Sequence, residues 1–441
     1  MSKHNANAGR GAIRKVCVVE IAGLSGRLLA SGARDWPVSP SSQPTPLRTV
    51  FPSVPPVVEA SMTTGVIPGV HGIVSGGIFR RQSRRLGLDE RSNTLLNKKR
   101  FWQSRHLPAR PTVAMLFGYH PLAGAADIVV GVSSYGSSCG RAISQPVTVG
   151  RELAGELGGA DARGFAGPDA SWKAGEWTTA AAGKLFGERD IHLMWVYLPG
   201  VNFELIRHGP EAFQVSEALD GVCGFAGRIA EDVSAAGGET VLIGNGGYTA
   251  VSRVGTPNER LYRAGLLKLV DTPEGPVVDL DRSRAFAMTD HQLAHLYCDD
   301  ETVAAEAEAV VLDDPAVERV CSRSELFEPG LGHDRAGERV AIAAADAWLA
   351  YQWWSVDDTP PLDARRPGFA GKCGYDPCEL FAGDEPGDID PDPSRVRATR
   401  GRVDIDPDDS CVVGGTCELP FDSDDPCATD MPAILRRLMF E

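Results

Sequence analysis

No run of 18 apolar residues occurs in this chain of 441, so nothing in it is built to cross a bilayer as a helix. Positive charge is also short: 44 Lys and Arg stand against 59 Asp and Glu, a net charge of −15. That balance excludes a phosphate-backbone nucleic acid or an anionic membrane as the partner. Paired short cysteine spacings are missing too. Cys373 and Cys378 have four residues between them, Cys411 and Cys417 five, and Cys417 and Cys427 nine, whereas a zinc knuckle needs pairs such as C-x-x-C. Ten scattered cysteines are read as free thiols of a cytoplasmic protein. There is no internal repeat, and no feature fixes an oligomeric state. The basic start has only a short apolar run before the first strand, which reads as a disordered lead over 1–14 and not a signal peptide.

What is present alternates between two periods. "KVCVVEIAGL" from Lys15, "DIHLMWVYLPG" from Asp190 and "ETVLIGNGG" from Glu239 are apolar runs ending in glycine or proline, as buried parallel strands do. "ADIVVGVSSYG" reads as a further strand. Between them, "SWKAGEWTTAAAGKLF" and "EAFQVSEALDGVCGFAGRIAEDVSAAGG" are amphipathic and helical, and Arg151 to Leu157 could form a short helix. The class is α/β with a mostly parallel sheet, and in such sheets chemistry collects beyond the carboxyl ends of the strands. Glu20, Asn202 and Asn245 fall at or just past strand ends. The stretch 384–430 is rich in Asp, Pro and Gly and reads as an acidic loop excursion. Its "DIDPDPS" is no calcium loop, because Pro393 and Thr399 stand where an EF-hand needs Gly and Glu. "DMPAILRRLMFE" closes the chain as a docking helix.

Six segments in order, "FPSVPPVVEASMTTGVIPGVHGIV", "FWQSRHL", "WVYLPGVNFELIRHGP", "TAVSRVGTPNERLYRAGLL", "SRAFAMTDHQLAHLY" and "GYDPCELF", resemble the type I phosphodiesterase/nucleotide pyrophosphatase family of the alkaline phosphatase superfamily. The resemblance implies an alkaline-phosphatase-like core over 15–441, a mostly parallel sheet flanked by helices, with a small inserted cap at about 82–165. It also implies a binuclear metal hydrolase, in which one ion activates a Thr or Ser and the other steadies an oxygen.

The residues at the implied positions differ from that pattern. The nucleophile position falls on Pro55, which has neither hydroxyl nor N–H; Ser53 is the weak substitute. Glu20 matches a metal-binding Asp and His208 a metal-binding His. Asn202 and Asn245 replace carboxylates, Gly246 replaces an imidazole, and the places for a last His hold Ala370 and Arg400. Glu204 could face the site only if the chain shifts locally.

Other residues could still carry chemistry. In "TDHQLAHLY", His291 and His295 at i, i+4 would share a helical face, and with Asp290, His208 and Glu20 could hold one divalent ion, zinc or similar, if any metal is bound. Arg105 and His106 in the cap are candidate ligand-binding residues, and Trp102 lies beside them. His71 reads as a structural residue. "GSSCG", 136–140, formally fits a nucleophile elbow at Ser138, but no helix follows it. "GNGG" lacks the rest of a phosphate-cradle motif.

Three functions follow from these residues. One is a pseudoenzyme that binds a small-molecule or phosphate-containing ligand. Another is a repurposed enzyme in the same cleft. The third is an active metal-dependent phosphodiester or pyrophosphate hydrolase with an altered site.

Overall fold

The computed structural model describes residues 13–31, 36–38, 44–88, 90–132, 142–326, 330–355 and 357–441. Most of the lead over 1–14, and the "GSSCG" stretch with Ser138, lie outside these residues.

Among the described residues, twelve of twenty strands make up the two larger sheets. They are β1 Val16–Ile21, β2 Thr45–Leu47, β3 Val113–Leu116, β4 Ile128–Val132, β5 Ala142–Gln145, β6 Leu193–Leu198, β7 Glu239–Gly244, β8 Ala285–Asp290, β9 Leu293–Cys298, β10 Val317–Ser322, β11 Arg339–Ala343 and β12 Cys411–Gly415. Eight form the central sheet in the order β2-β12-β7-β1-β6-β3-β4-β5. Its middle, β7-β1-β6-β3-β4, is parallel, and antiparallel strands close both sides.

Alternation along β1 splits the core in two. Cys17, Val19 and Ile21 pack with the helices Gly175–Glu188, Val201–His208 and Phe213–Ala235. Val16 and Val18 pack with the helices Pro55–Thr64 and Met431–Phe440. Helices on both faces explain why these strands carry continuous apolar runs. Glu20 shares the face of Val16 and Val18 and pairs in register with Tyr197 of β6 and Ile243 of β7. A second sheet, β8-β9-β11-β10, is antiparallel and has its own core.

Three expectations need correction. The stretch at about 82–165 is not simply a cap, since β3, β4 and β5 come from it. The acidic excursion at 384–430 returns to the centre, since β12 is a fully buried strand of the main sheet. "TDHQLAHLY" is not a helix: β8 and β9 form a hairpin in which Asp290 pairs with Leu293, leaving His291 and Gln292 as a two-residue link. Both strands are buried along their whole length, so they lack the polar alternation that betrays a strand.

Candidate functional site

At the ends of β1 and β7 the side chains form a closed network. Glu20 is fully buried and accepts hydrogen bonds from Trp195 Nε1 and Asn245 Nδ2, both at 2.9 Å. Burial pushes the Glu20 carboxyl above its ordinary value, against the pull of these two bonds and the Arg400 charge. Asn245 Oδ1 in turn accepts from Arg400 Nη1 at 2.8 Å and Gly23 N at 3.2 Å. The Arg400 guanidinium also donates through Nε to the Ser53 carbonyl at 2.6 Å, and through Nη2 to the Asn245 carbonyl and Ser53 Oγ. It lies 5.5 Å from the centre of the Tyr248 ring. A side chain at residue 246 would start 3.1 Å from Arg400 Nη2, so Gly246 leaves room for the guanidinium. Ser53 Oγ lies 3.0 Å from Thr49 Oγ1.

The helix Pro55–Thr64 starts beside this network, and its first turn offers no N–H. Pro55 and Pro56 have none, Val54 N donates to the Pro52 carbonyl and Val57 N to the Val54 carbonyl. One turn in, Glu59 meets Arg100 in an ion pair without solvent exposure, Nη1 to Oε1 3.3 Å, and accepts from Tyr119 N. Burial raises Glu59 to about 8 even so. Arg100 Nη2 donates to the Tyr119 carbonyl at 2.6 Å, which fixes the loop after β3.

Next to the network opens a cavity of about 290 Å³. Its walls are rich in aromatic rings, with Phe117, Phe165, Phe203, Tyr197, Tyr248 and Tyr375 contributing. Asp290 and His291 stand at its edge, His291 Nδ1 2.7 Å from Asp290 Oδ1. Asp290 Oδ2 accepts from Ser75 Oγ at 2.8 Å and Gly76 N at 2.7 Å. Burial alone would raise the Asp290 pKa, but the His291, Gly76 and Ser75 interactions outweigh it and hold it below the usual value. Tyr375 stacks flat on His291, 4.3 Å between ring centres and 8° between planes. That stacking depends on Gly374, whose φ of +150° lets Tyr375 N reach the Thr289 carbonyl at 2.9 Å. A Cβ there would sit 2.3 Å from that carbonyl oxygen.

Five described non-glycine residues have positive φ, and three of them, Phe117, His120 and His291, line this cavity. Each such residue costs on the order of 1–3 kcal/mol, and strain of this kind collects at sites of function.

The candidates of the sequence are thus divided. Glu20, Ser53, Asn245 and Arg400 come together, with Pro55 at the adjoining helix start. Asp290, His291, Asn202 and Pro55 line the cavity, and Asn202 Oδ1 accepts from Gly200 N at 2.8 Å. His208 joins neither group; at the end of its helix its half-exposed ring lies 3.3 Å from Glu204. Among the described residues no three His, Cys, Asp or Glu side chains are arranged to hold a metal ion, so Glu20, His208, Asp290 and His291 do not form one ligand set.

The His291/His295 pair also separates. His295 Nε2 donates to the Val74 carbonyl while its Nδ1 accepts from Gly337 N, a buried structural ring. His71 behaves likewise, bonded to Ser61 Oγ and Ile73 N. Arg105 and His106 are exposed and do not line the cavity. The cations that shape the site are Arg400 and Arg100. Sequence spacing does not single out Arg400, one of four arginines between 395 and 402. Glu59 was legible only as a carboxylate four residues after Pro55.

A mostly parallel sheet with helices on both faces and polar groups gathered at its carboxyl ends is the alkaline phosphatase superfamily architecture. A family model described as type I phosphodiesterase/nucleotide pyrophosphatase matches residues 40–376, and the chain belongs to that family. Among solved structures, phosphonoacetate hydrolase from Sinorhizobium meliloti 1021, in complex with phosphonoformate, is similar with a TM-score of 0.62 and 14% identity, covering 99% of this chain and 100% of that one. Murine ectonucleotide pyrophosphatase/phosphodiesterase 5, an inactive form in complex with AMP, has a TM-score of 0.58 and 14% identity, covering 96% and 94%. No curated protein matches the chain. Among the described residues no helix is long and apolar enough to cross a membrane.

Proposed function

We propose that this chain is a family member in which a fixed arginine has replaced the metal-dependent phosphoryl-transfer centre, and which binds a small molecule in the adjoining cavity. The observation that carries the reading is the Arg400 guanidinium, buried and bonded to Asn245 and Ser53.

The residues present do not fit the two metal ions that the family resemblance implies. A dication needs free anionic donors. Glu20 already takes two hydrogen bonds, Asn245 Oδ1 takes two more, and Gly246 brings no ligand atom. A doubly charged ion ~4 Å from Arg400 would be repelled by on the order of 8 kcal/mol at an effective dielectric near 20. The nucleophile is lacking as well. Pro55 has no hydroxyl, and among the described residues no His, Asp or Glu hydrogen-bonds to Ser53 to take its proton. The proline-blocked helix start also withholds the N–H groups that would receive a phosphate. A cytoplasmic setting is part of this reading and rests on the acidic, cysteine-scattered sequence.

The test is hydrolysis of bis(4-nitrophenyl) phosphate with zinc supplied, by the wild type and by Glu20→Ala. The reading expects no turnover above buffer from either protein. Wild-type turnover that Glu20→Ala abolishes would overturn it.

A further inference from the structure

The cavity beside Arg400 also carries a statement about its ligand, one that rests on the metal-free reading above. We propose that it binds an uncharged, planar, ring-hydroxylated aromatic molecule, whose hydroxyl donates a hydrogen bond to Nε2 of His291.

The direction of that bond follows from Asp290. A carboxylate accepts only, and its Oδ2 is already taken by Ser75 Oγ and Gly76 N, so the contact at Oδ1 is made by a proton on His291 Nδ1. In the neutral ring Nε2 then bears the lone pair. His291 lines the cavity, and its Nε2 has no partner among the described residues and is not one of the buried unsatisfied atoms. It is therefore an acceptor turned to the space a ligand would fill. The hairpin keeps a non-glycine residue at φ +62° to place it there. Tyr375 covers the opposite ring face, which fixes the imidazole plane.

The class of ligand follows from the walls. A volume of about 290 Å³ lies at the small end for ligand sites and suits one or two fused rings. Phe117 stacks on Phe165, 4.5 Å between centres and 9° between planes, and with Phe203 and Phe369 gives flat apolar surface for another ring. The charged groups lining the cavity are Asp290, Glu90 and Arg91, with Glu90 ion-paired to Arg80, and the helix start at Pro55 supplies no N–H. Arg91 is then the one Lys or Arg in the described lining, set against the Asp290 carboxylate, and with no N–H from the Pro55 helix start the lining favours an uncharged ring over a doubly charged phosphate.

Three probes of one ring system separate the outcomes by titration calorimetry: 2-naphthol, its methyl ether, and 2-naphthyl phosphate. The wild type is expected to bind the alcohol roughly tenfold tighter than the ether, the worth of one hydrogen bond, and to bind the phosphate less tightly than the alcohol.

In His291→Asn, which tolerates a positive φ, alcohol and ether should bind alike. Asp290→Asn is a second variant that keeps the shape. Its amide can donate to His291 Nδ1 while its oxygen still serves Ser75 and Gly76, so Nε2 becomes a donor and the preference for the alcohol should vanish. A merely structural role for His291 would leave the alcohol-to-ether ratio unchanged in both variants. Equal binding of alcohol and ether by the wild type, no binding of either, or tightest binding of the phosphate would overturn the inference. Turnover of the diester in the earlier experiment would instead sink the metal-free reading on which it rests.

Discussion

Two polar groups sit a short distance apart beyond the ends of the parallel strands, and they are built on opposite principles. At β1 and β7 the polar atoms of Glu20, Asn245, Ser53 and Arg400 are bonded to one another, to backbone, or to the side chains of Trp195 and Thr49. At the turn between β8 and β9, Asp290 is bonded through both oxygens, while His291 keeps one nitrogen without a partner among the described residues. A saturated buried network stabilises and specifies a structure, while an imidazole with a spare lone pair has something to offer a ligand. On the proposed function, the position where the family resemblance puts the nucleophile and metals is the closed half, and the recognition chemistry lies next door.

Breaking the rigid half should have the largest effect. Arg400→Ala strands the Ser53 and Asn245 carbonyls and removes the cation with the strongest pull on the buried Glu20, and should cost about 3–5 kcal/mol in chemical denaturation. A variant as stable as the wild type would mean that the network is not closed. Gly374→Ala attacks the other half through its backbone. It forces a side chain onto φ +150° and against the Thr289 carbonyl, and is expected to cost about 2–3 kcal/mol and to weaken 2-naphthol binding as Tyr375 leaves His291.

Glu59, beneath the proline-started helix, sharpens the comparison through pH. Burial raises its folded pKa to about 8 from 4.5. Below about 4.5 both folded and unfolded chains hold the proton. Between these values the unfolded chain releases it and the folded one keeps it, so stability is lost as pH rises through this window. Relative to Glu59→Gln, whose amide cannot ionise, the wild type should lose about 1 kcal/mol per pH unit there, read from denaturation midpoints. The smallest effect belongs to Arg105→Ala. An exposed side chain outside both groups should change stability by less than about 0.5 kcal/mol and 2-naphthol affinity not at all.

The sequence carried the parallel core plainly, because β1, β6 and β7 are long apolar runs bounded by glycine or proline and joined by amphipathic helices. It showed β4 in "ADIVVGV" but hid β3 and β5, which span only four residues each, so the stretch around them read as a cap. The β8–β9 hairpin was masked for a different reason. Two strands buried on both faces show no alternation, and His291 and His295 happen to fall at helical spacing.

Within the site, Pro55, Asn202, Asn245 and Gly246 could be read as departures from a familiar order of motifs. What fills the space they leave could not. Arg400 is 155 residues from Asn245, and long-range contacts bring its segment over the strand ends: the pairing of Thr249 and Ala250 with Thr399 and Ala398, and the bonds from Ser53 N to the Gly401 carbonyl and from Gln292 N to the Arg400 carbonyl.

On the proposed function, a tethered guanidinium holds the place of paired dications. This is tested most directly by counting zinc per chain with native mass spectrometry after dialysis against zinc and removal of loosely held ions. No stoichiometric zinc is expected on the wild-type chain. Two tightly held zinc ions per chain, lost in Glu20→Ala, would contradict it.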